Sequence, residues 1–191
     1  PELQKEEHAK KIKPTIERLN NQSEKKYNEF VKNMDTNKYL MCFNNGVVDF
    51  ANKVFRDGLP EDYITKTTGI PYMKFNPSDE TTHLISGEIM TFKEQLFPQP
   101  ELCKYMWDHL ASVLIGVKKE HAFNIYRGSG SNGKSILTDL MSHALGEYKG
   151  TVPVTLITEK RNSIGGTSSE VIQLKGVRYA VMQEPSKDAI I

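Results

Sequence analysis

The chain has 191 residues, enough for one well-formed core or for a small domain with part of another. Its 38% hydrophobic and 26% charged content is ordinary for a globular protein, and a formal charge of +1 excludes a chain-wide electrostatic pull toward nucleic acid. Cys42 and Cys103 lie far apart and the five histidines make no ligand-spaced pattern, so reduced thiols and no structural zinc are predicted. No apolar run reaches membrane-span length and no signal-peptide core opens the chain. Pro1 opens the sequence without a methionine and Ile191 closes it after a motif expected mid-domain, so a piece of a longer protein is expected.

The first thirty-odd residues read as helices. Pro1 to Leu19 is charged, with sparse apolar positions, and Asn20-Asn21-Gln22 is expected to break it. Ser23 would cap a second helix that places Tyr27, Phe30, Val31 and Met34 on one buried stripe. The period then changes. Tyr39 to Phe43 and Val47 to Phe50 are short β-prone runs around Asn44-Asn45-Gly46, a hairpin signal because Asn and Gly tolerate positive φ. That chemistry makes the hairpin and Asp49 structural features. Asn52 to Pro77 is turn-rich and predicts irregular structure with short strands.

Regular structure is expected to resume near Thr91. After Pro98 and Pro100, a helix over Glu101 to Ile115 carries Leu102, Met106, Leu110, Val113 and Leu114 on its apolar face, with Gly116 as its stop. Tyr105 and Trp107 on that helix read as core or groove packing rather than a base-stacking platform.

From His121 the pattern is strand, glycine-rich loop, helix. Ala122 to Tyr126 is the expected strand. Gly128-Ser129-Gly130-Ser131-Asn132-Gly133-Lys134-Ser135 matches G-x-x-x-x-G-K-[ST], and Ile136, Leu137, Leu140, Met141, Ala144 and Leu145 form a helical face ended by Gly146. The spacing has a physical reason. Glycines allow the backbone to turn successive N–H groups toward phosphate oxygens, and the helix N-terminus adds partial positive charge. Lys134 would reach the β- and γ-phosphates of ATP, and the Ser135 hydroxyl would coordinate Mg²⁺.

Such a loop requires an acid at the end of a neighbouring strand. Val177 to Gln183 is the best candidate strand, apolar enough for burial on both faces, and Glu184 ends it as the Walker B-type acid. Gln183 stands where many such proteins have a second acid. In between, Thr155 to Ile157 reads as a further strand and Leu174 as the end of a short helix. Lys160 and Arg161 lie in an exposed loop, candidate DNA-phosphate contacts that are also explained as a solvated loop.

The loop, followed by Val181-Met182-Gln183-Glu184-Pro185, resembles superfamily 3 helicases of DNA viruses. The closest likeness is to the poxvirus-type primase–helicases of large DNA viruses, with their phage and plasmid relatives. Phe43-Asn44-Asn45-Gly46-Val47-Val48-Asp49, Phe55-Arg56-Asp57-Gly58 and Glu61-Asp62-Tyr63 resemble the domain that precedes the helicase there. Leu174-Lys175-Gly176-Val177-Arg178 resembles the lead-in to its Walker B strand. The resemblance implies an α/β fold: a P-loop NTPase (AAA+-like) parallel sheet, incomplete at the C-terminus, preceded by a small α+β domain and an N-terminal helical segment. The expected divisions are a helical segment over 1–38, the α+β domain over 39–90, and the helicase part over 91–191. Within that part, 91–118 is a helical lead-in and 121–185 runs from Walker A to Walker B.

The resemblance further implies ATP-driven unwinding of DNA by a homo-oligomer, a hexameric ring, together with other viral replication proteins in the host cytoplasm and without a membrane. Lys134 and Glu184 carry over as catalytic residues, and Ser135 and Glu184 as Mg²⁺ ligands. The sensor asparagine and arginine finger of that family have no counterpart before Ile191, so weak binding and poor hydrolysis are expected of these residues alone; the finger is worth about 10³–10⁵ in rate. Two other readings stand beside this one: a small-molecule P-loop kinase or other NTPase, and a non-catalytic interaction module with a degenerate loop.

Overall fold

The computed structural model describes residues 6–117, 123–128, 130, 132–154 and 169–182. Its first element, α1 (Glu6–Asn33), is one helix of 28 residues. It runs through Asn20-Asn21-Gln22, where a break was expected, because residues only some tenths of a kcal/mol poorer than alanine do not end a helix. Pro14 is also inside it. The expected buried stripe does not form: Tyr27, Phe30 and Val31 are exposed. Only the last turns meet other described residues. Phe30 stands edge-on to Tyr63 with ring centroids 5.5 Å apart, and Lys175 Nζ donates to the Val31 carbonyl at 2.9 Å.

The expected hairpin is present. Strands β1 (Leu40–Phe43) and β2 (Gly46–Asp49) pair antiparallel with Phe43 opposite Gly46, and β3 (Val54–Arg56) adds to β2 with Val47 opposite Arg56. The turn chemistry differs from expectation: Gly46 alone in the turn has positive φ, at 152°. Asn44 and Asn45 serve as tethers instead. Asn44 Nδ2 donates to Gly69 O at 2.7 Å, and Asn45 exchanges bonds with the Tyr72 backbone at 2.7 and 2.9 Å. The irregular 57–79 stretch is thereby fastened over the hairpin. Asp49 is structural as expected, its carboxylate accepting from the backbone N–H groups of Ala51 and Asn52 and from the Asn52 side chain.

Helix α2 (Glu80–Leu96) begins well before Thr91. Asp79 caps it by accepting from the Thr82 N–H at 2.7 Å. Leu84 and Ile85 in its first half are exposed, and its half-buried apolar positions are Ile89, Phe92 and Leu96, the last two packed on the core. Helix α3 (Pro100–Ser112) follows with Pro100 in its first turn and buries Cys103, Met106 and Leu110. Leu102, assigned to the buried face, is exposed; the face is rotated toward Cys103.

Residues 123–126 form no strand, contrary to the expectation for Ala122 to Tyr126, and Phe123 and Ile125 are exposed. Helix α4 (Lys134–Leu145) buries Leu137, Met141 and Leu145 and ends at Gly146 as expected, but Ile136 and Ala144, also assigned to its apolar face, are exposed, so the buried face is narrower. Strand β4 (Lys149–Val152) and strand β5 (Tyr179–Met182) pair in parallel, Lys149 opposite Tyr179, with a short helix α5 (Ser169–Ile172) between them in sequence. The strand proposed at Thr155 to Ile157 lies outside the described residues. Strand β5 is not buried on both faces: Tyr179 is buried, Ala180 is exposed and Met182 is largely so. β4 is its one ladder partner among the described residues.

The architecture is thus α/β with a three-stranded antiparallel sheet and a two-stranded parallel one. One apolar cluster serves both, joining Met41 of β1, Met106 and Leu110 of α3, Leu137, Met141 and Leu145 of α4, Tyr148, and Tyr179 of β5. No helix among the described residues is long and apolar enough to cross a membrane.

Candidate nucleotide-binding site

The glycine-rich loop opens directly into α4. Gly133 is the residue before the helix, at φ 80°, and no side chain caps the helix start. The first turn of any α-helix carries N–H groups without an intrahelical acceptor. The first internal bond here runs from the Leu137 N–H to Gly133 O at 3.0 Å, so the donors of Lys134, Ser135 and Ile136 lie ahead of it. Gly130 is also left-handed, at φ 94°. A Cβ at Gly133 would come 2.5 Å from Leu96 Cδ1, which ties the end of the loop to the end of α2. A Cβ at Gly128 would collide with the Asn132 amide. At Gly133 the left-handed backbone also disfavours a side chain, whereas at Gly128 the crowding comes from the Asn132 side chain.

Lys134 Nζ donates to Asn132 Oδ1 at 2.7 Å, so the ammonium stays at the mouth of the loop. Ser135 is exposed on the first turn. Behind the loop, Tyr126 packs against the apolar cluster that contains Tyr179, the first residue of β5, and burial pushes both phenols up from their ordinary value. That contact brings the segment entering the loop beside the strand that leads toward Glu184. Gly128, Gly130, Asn132, Gly133, Lys134 and Ser135 are therefore gathered at one helix end. Ser129, Ser131, Lys160, Arg161 and Glu184 lie outside the described residues.

Left-handed glycines, an uncapped helix start and one ammonium suit a polyphosphate, and a serine hydroxyl on the first turn suits a divalent cation bound to it. Tyr105 and Trp107 are both substantially exposed. Trp107 lines a groove between α2 and α3 with Lys93, whose Nζ stands 5.3 Å from its ring centroid, in agreement with groove packing. Two residues were not singled out by sequence reasoning, Tyr148 and the charge of Arg178. The available signal was a lone cation at the head of the apolar run 179–182.

Residues 1–112 match the family model described as D5 N terminal like, more than half of the chain. The chain belongs to this family. Similar proteins of the same kind come from large DNA viruses. "Putative helicase L207/L206" of Acanthamoeba polyphaga mimivirus is 36% identical over 156 residues, covering 82% of this chain and 16% of that protein. "Putative helicase 184R" of Invertebrate iridescent virus 6 is 33% identical over 159 residues, 83% of this chain and 16% of the relative. "Putative primase C962R" of African swine fever virus (strain Badajoz 1971 Vero-adapted) is 26% identical over 165 residues, 85% of this chain and 17% of the relative. The chain spans about a sixth of the length of these relatives. The D5 segment ends at the close of α3, and the glycine-rich loop follows it.

Proposed function

We propose that this chain is part of a viral replicative primase–helicase of superfamily 3 type, and that its loop binds ATP and Mg²⁺ to drive unwinding of DNA. The observation that carries the reading is the uncapped start of α4 behind Gly133, with Lys134 held at the mouth of the loop, in a chain of the D5 family. In this reading 39–90 is the α+β domain ahead of the helicase and 91–191 is the first part of a P-loop, AAA+-like sheet. The subunits assemble as a homo-oligomeric ring, a hexamer, around DNA, and Lys160 and Arg161 touch its phosphates.

The residues divide the chemistry as follows. N–H groups of the loop and of the first turn of α4 hold the phosphates, and Lys134 neutralises charge that grows on them during transfer. Ser135 and Glu184 would hold Mg²⁺, which would supply neutralisation of phosphate charge. Glu184 also orients the attacking water. Catalysis of this kind is positioning plus electrostatics, so displacing β5 relative to the loop costs rate even with every side chain present.

The test is binding of a non-hydrolysable ATP analogue with Mg²⁺ and DNA-stimulated hydrolysis, in the full-length protein and in its Lys134→Ala variant. Binding and hydrolysis that fall together on substitution support the reading. A full-length protein indifferent to nucleotide sinks it and makes the family segment an interaction module.

A further inference from the structure

Tyr148 and Arg178 each stand immediately before one of the two parallel strands. Tyr148 is buried; its hydroxyl donates to Lys66 O at 3.0 Å and accepts from the Cys42 N–H at 2.9 Å. The Arg178 N–H donates to Tyr148 O at 2.8 Å, and its guanidinium carbon lies 4.7 Å from the centre of the Tyr148 ring. From there the guanidinium donates through Nη1 to Leu114 O and through Nη2 to Leu40 O. Leu114 follows α3, where the helix leaves its partial negative charge. Burial lowers the Arg178 pKa from its ordinary value, and among the described residues no carboxylate pairs with it. Its acceptors are backbone carbonyls from two distant elements. A planar fork reaches both at once; an ammonium, a single point of charge, does not.

The same N-terminal stretch also grips the end of the loop helix. The Glu147 N–H donates to Thr67 O at 3.0 Å, and the Thr67 N–H donates to Glu147 Oε2 at 2.7 Å. A Cβ at Gly146, at φ 52°, would press on the Thr67 and Thr68 backbone, with the Thr67 oxygen 2.8 Å away. Residues 40–42 and 66–68 therefore hold both α4 at its C-terminal end and β5 at its start. Glu184 comes two residues after the end of β5 and lies outside the described residues.

We propose that Arg178 is a positioning residue: seated on Tyr148, it locks the strand leading to Glu184 onto β1 and the end of α3, so that the family's N-terminal segment sets the alignment of the nucleotide site. What that alignment does for the chemistry rests on the proposed ATPase function. The lock itself rests only on the contacts above.

The experiment uses full-length protein carrying Arg178→Met, Arg178→Lys or Tyr148→Phe. Three quantities are read: kcat for ATP hydrolysis, the Kd of an ATP analogue, and amide hydrogen exchange at 40–42 and 179–182. Arg178→Met is expected to lower kcat about 10- to 100-fold, the scale of a remote misplacement, while the analogue Kd changes less than about twofold because the loop is untouched. Exchange is expected to quicken at 40–42 and at 179–182 together. Arg178→Lys should recover little of the loss. Should Arg178→Met fail to fold, Tyr148→Phe keeps the ring under the guanidinium and gives the same pattern at smaller size. Equal losses in kcat and analogue affinity, or full rescue by lysine, would overturn the proposal. If the parent protein does not hydrolyse ATP, the functional reading falls and exchange alone decides: paired quickening keeps the lock, and quickening confined to 179–182 removes it.

Discussion

Two turns in this molecule are built from the same residue types and end in opposite states. In Asn44-Asn45-Gly46 both asparagine side chains bond the backbone of 69–72, and the glycine sits against Arg56 and Phe55. In the loop from Gly128 to Ser135, Gly130 has open space around it and α4 starts without a side-chain cap. Asparagine beside glycine therefore marks a sharp backbone without saying whether its polar groups turn inward. What separates a fastening turn from a binding loop is where the backbone donors go. At the hairpin they go to protein, and at the loop the first turn of a helix leaves them without a side-chain cap or an intrahelical acceptor.

The strongest way to break that comparison is to ask whether the two regions share one fold. Leu145, fully buried, lies in the cluster that joins Met41 of the hairpin to α4 and β5. Leu145→Ala is expected to cost about 2–5 kcal/mol in a single urea transition reported alike by probes in both regions. Two separate transitions would mean that the turns belong to independent units. Next in size is Lys134→Ala, expected to lower hydrolysis by about 10²–10³, equivalent to about 2.7–4 kcal/mol, without moving the urea midpoint. A loss of stability instead would make Lys134 a structural residue like the asparagines.

The glycines sharpen the contrast. A Cβ at Gly46 would stand 2.7 Å from both Arg56 O and the Phe55 ring, so Gly46→Ala is expected to destabilise by about 1–3 kcal/mol in urea melts. Gly130→Ala meets nothing within 4 Å and carries only the left-handed penalty of about 1–2 kcal/mol, so its larger effect should be on nucleotide affinity. Equal stability losses at both sites would erase the distinction drawn between the turns.

The same contrast explains what the sequence disclosed. Local chemistry was legible: the hairpin, α3, α4 and the existence of β5, which starts two residues after the expected Val177, follow from turn residues, periodicity and an apolar run. That a glycine-rich loop opens into α4 was legible because the glycines and the helical apolar face behind them are both local signals. Three things were not. The first half of α2 hid because the half-buried stripe, Ile89, Phe92 and Leu96, lies in its second half, leaving the Asp79 cap as the signal for its start. The continuity of α1 hid because Asn20-Asn21-Gln22 is a weak breaker that a long helix tolerates. The side-chain hydrogen bonds of Tyr148 and Arg178 join positions more than sixty apart in the chain, and no local pattern encodes an arginine that bonds carbonyls.

The smallest expected effect is on acid stability, and it also divides the two regions. Asp62 accepts both guanidinium nitrogens of Arg56, at 2.7 and 2.8 Å, and the Leu59 N–H at 2.8 Å. The Arg56 hydrogen bonds hold its carboxyl below the usual carboxylate range, and the Asn52 backbone N–H does the same for Asp49. A folded pKa below the unfolded one means that the unfolded chain binds more protons. The stabilisation is then complete above the unfolded value near about pH 4 and is lost as pH falls through the lower folded values. Hydrogen exchange in β2 and β3 should therefore quicken on acidification before exchange in α4 does. Asp62→Asn should flatten the pH dependence at β3 and leave α4 unchanged. If α4 opens first, the hairpin's carboxylates are not what acid attacks, and the fastened region is held by its apolar core instead.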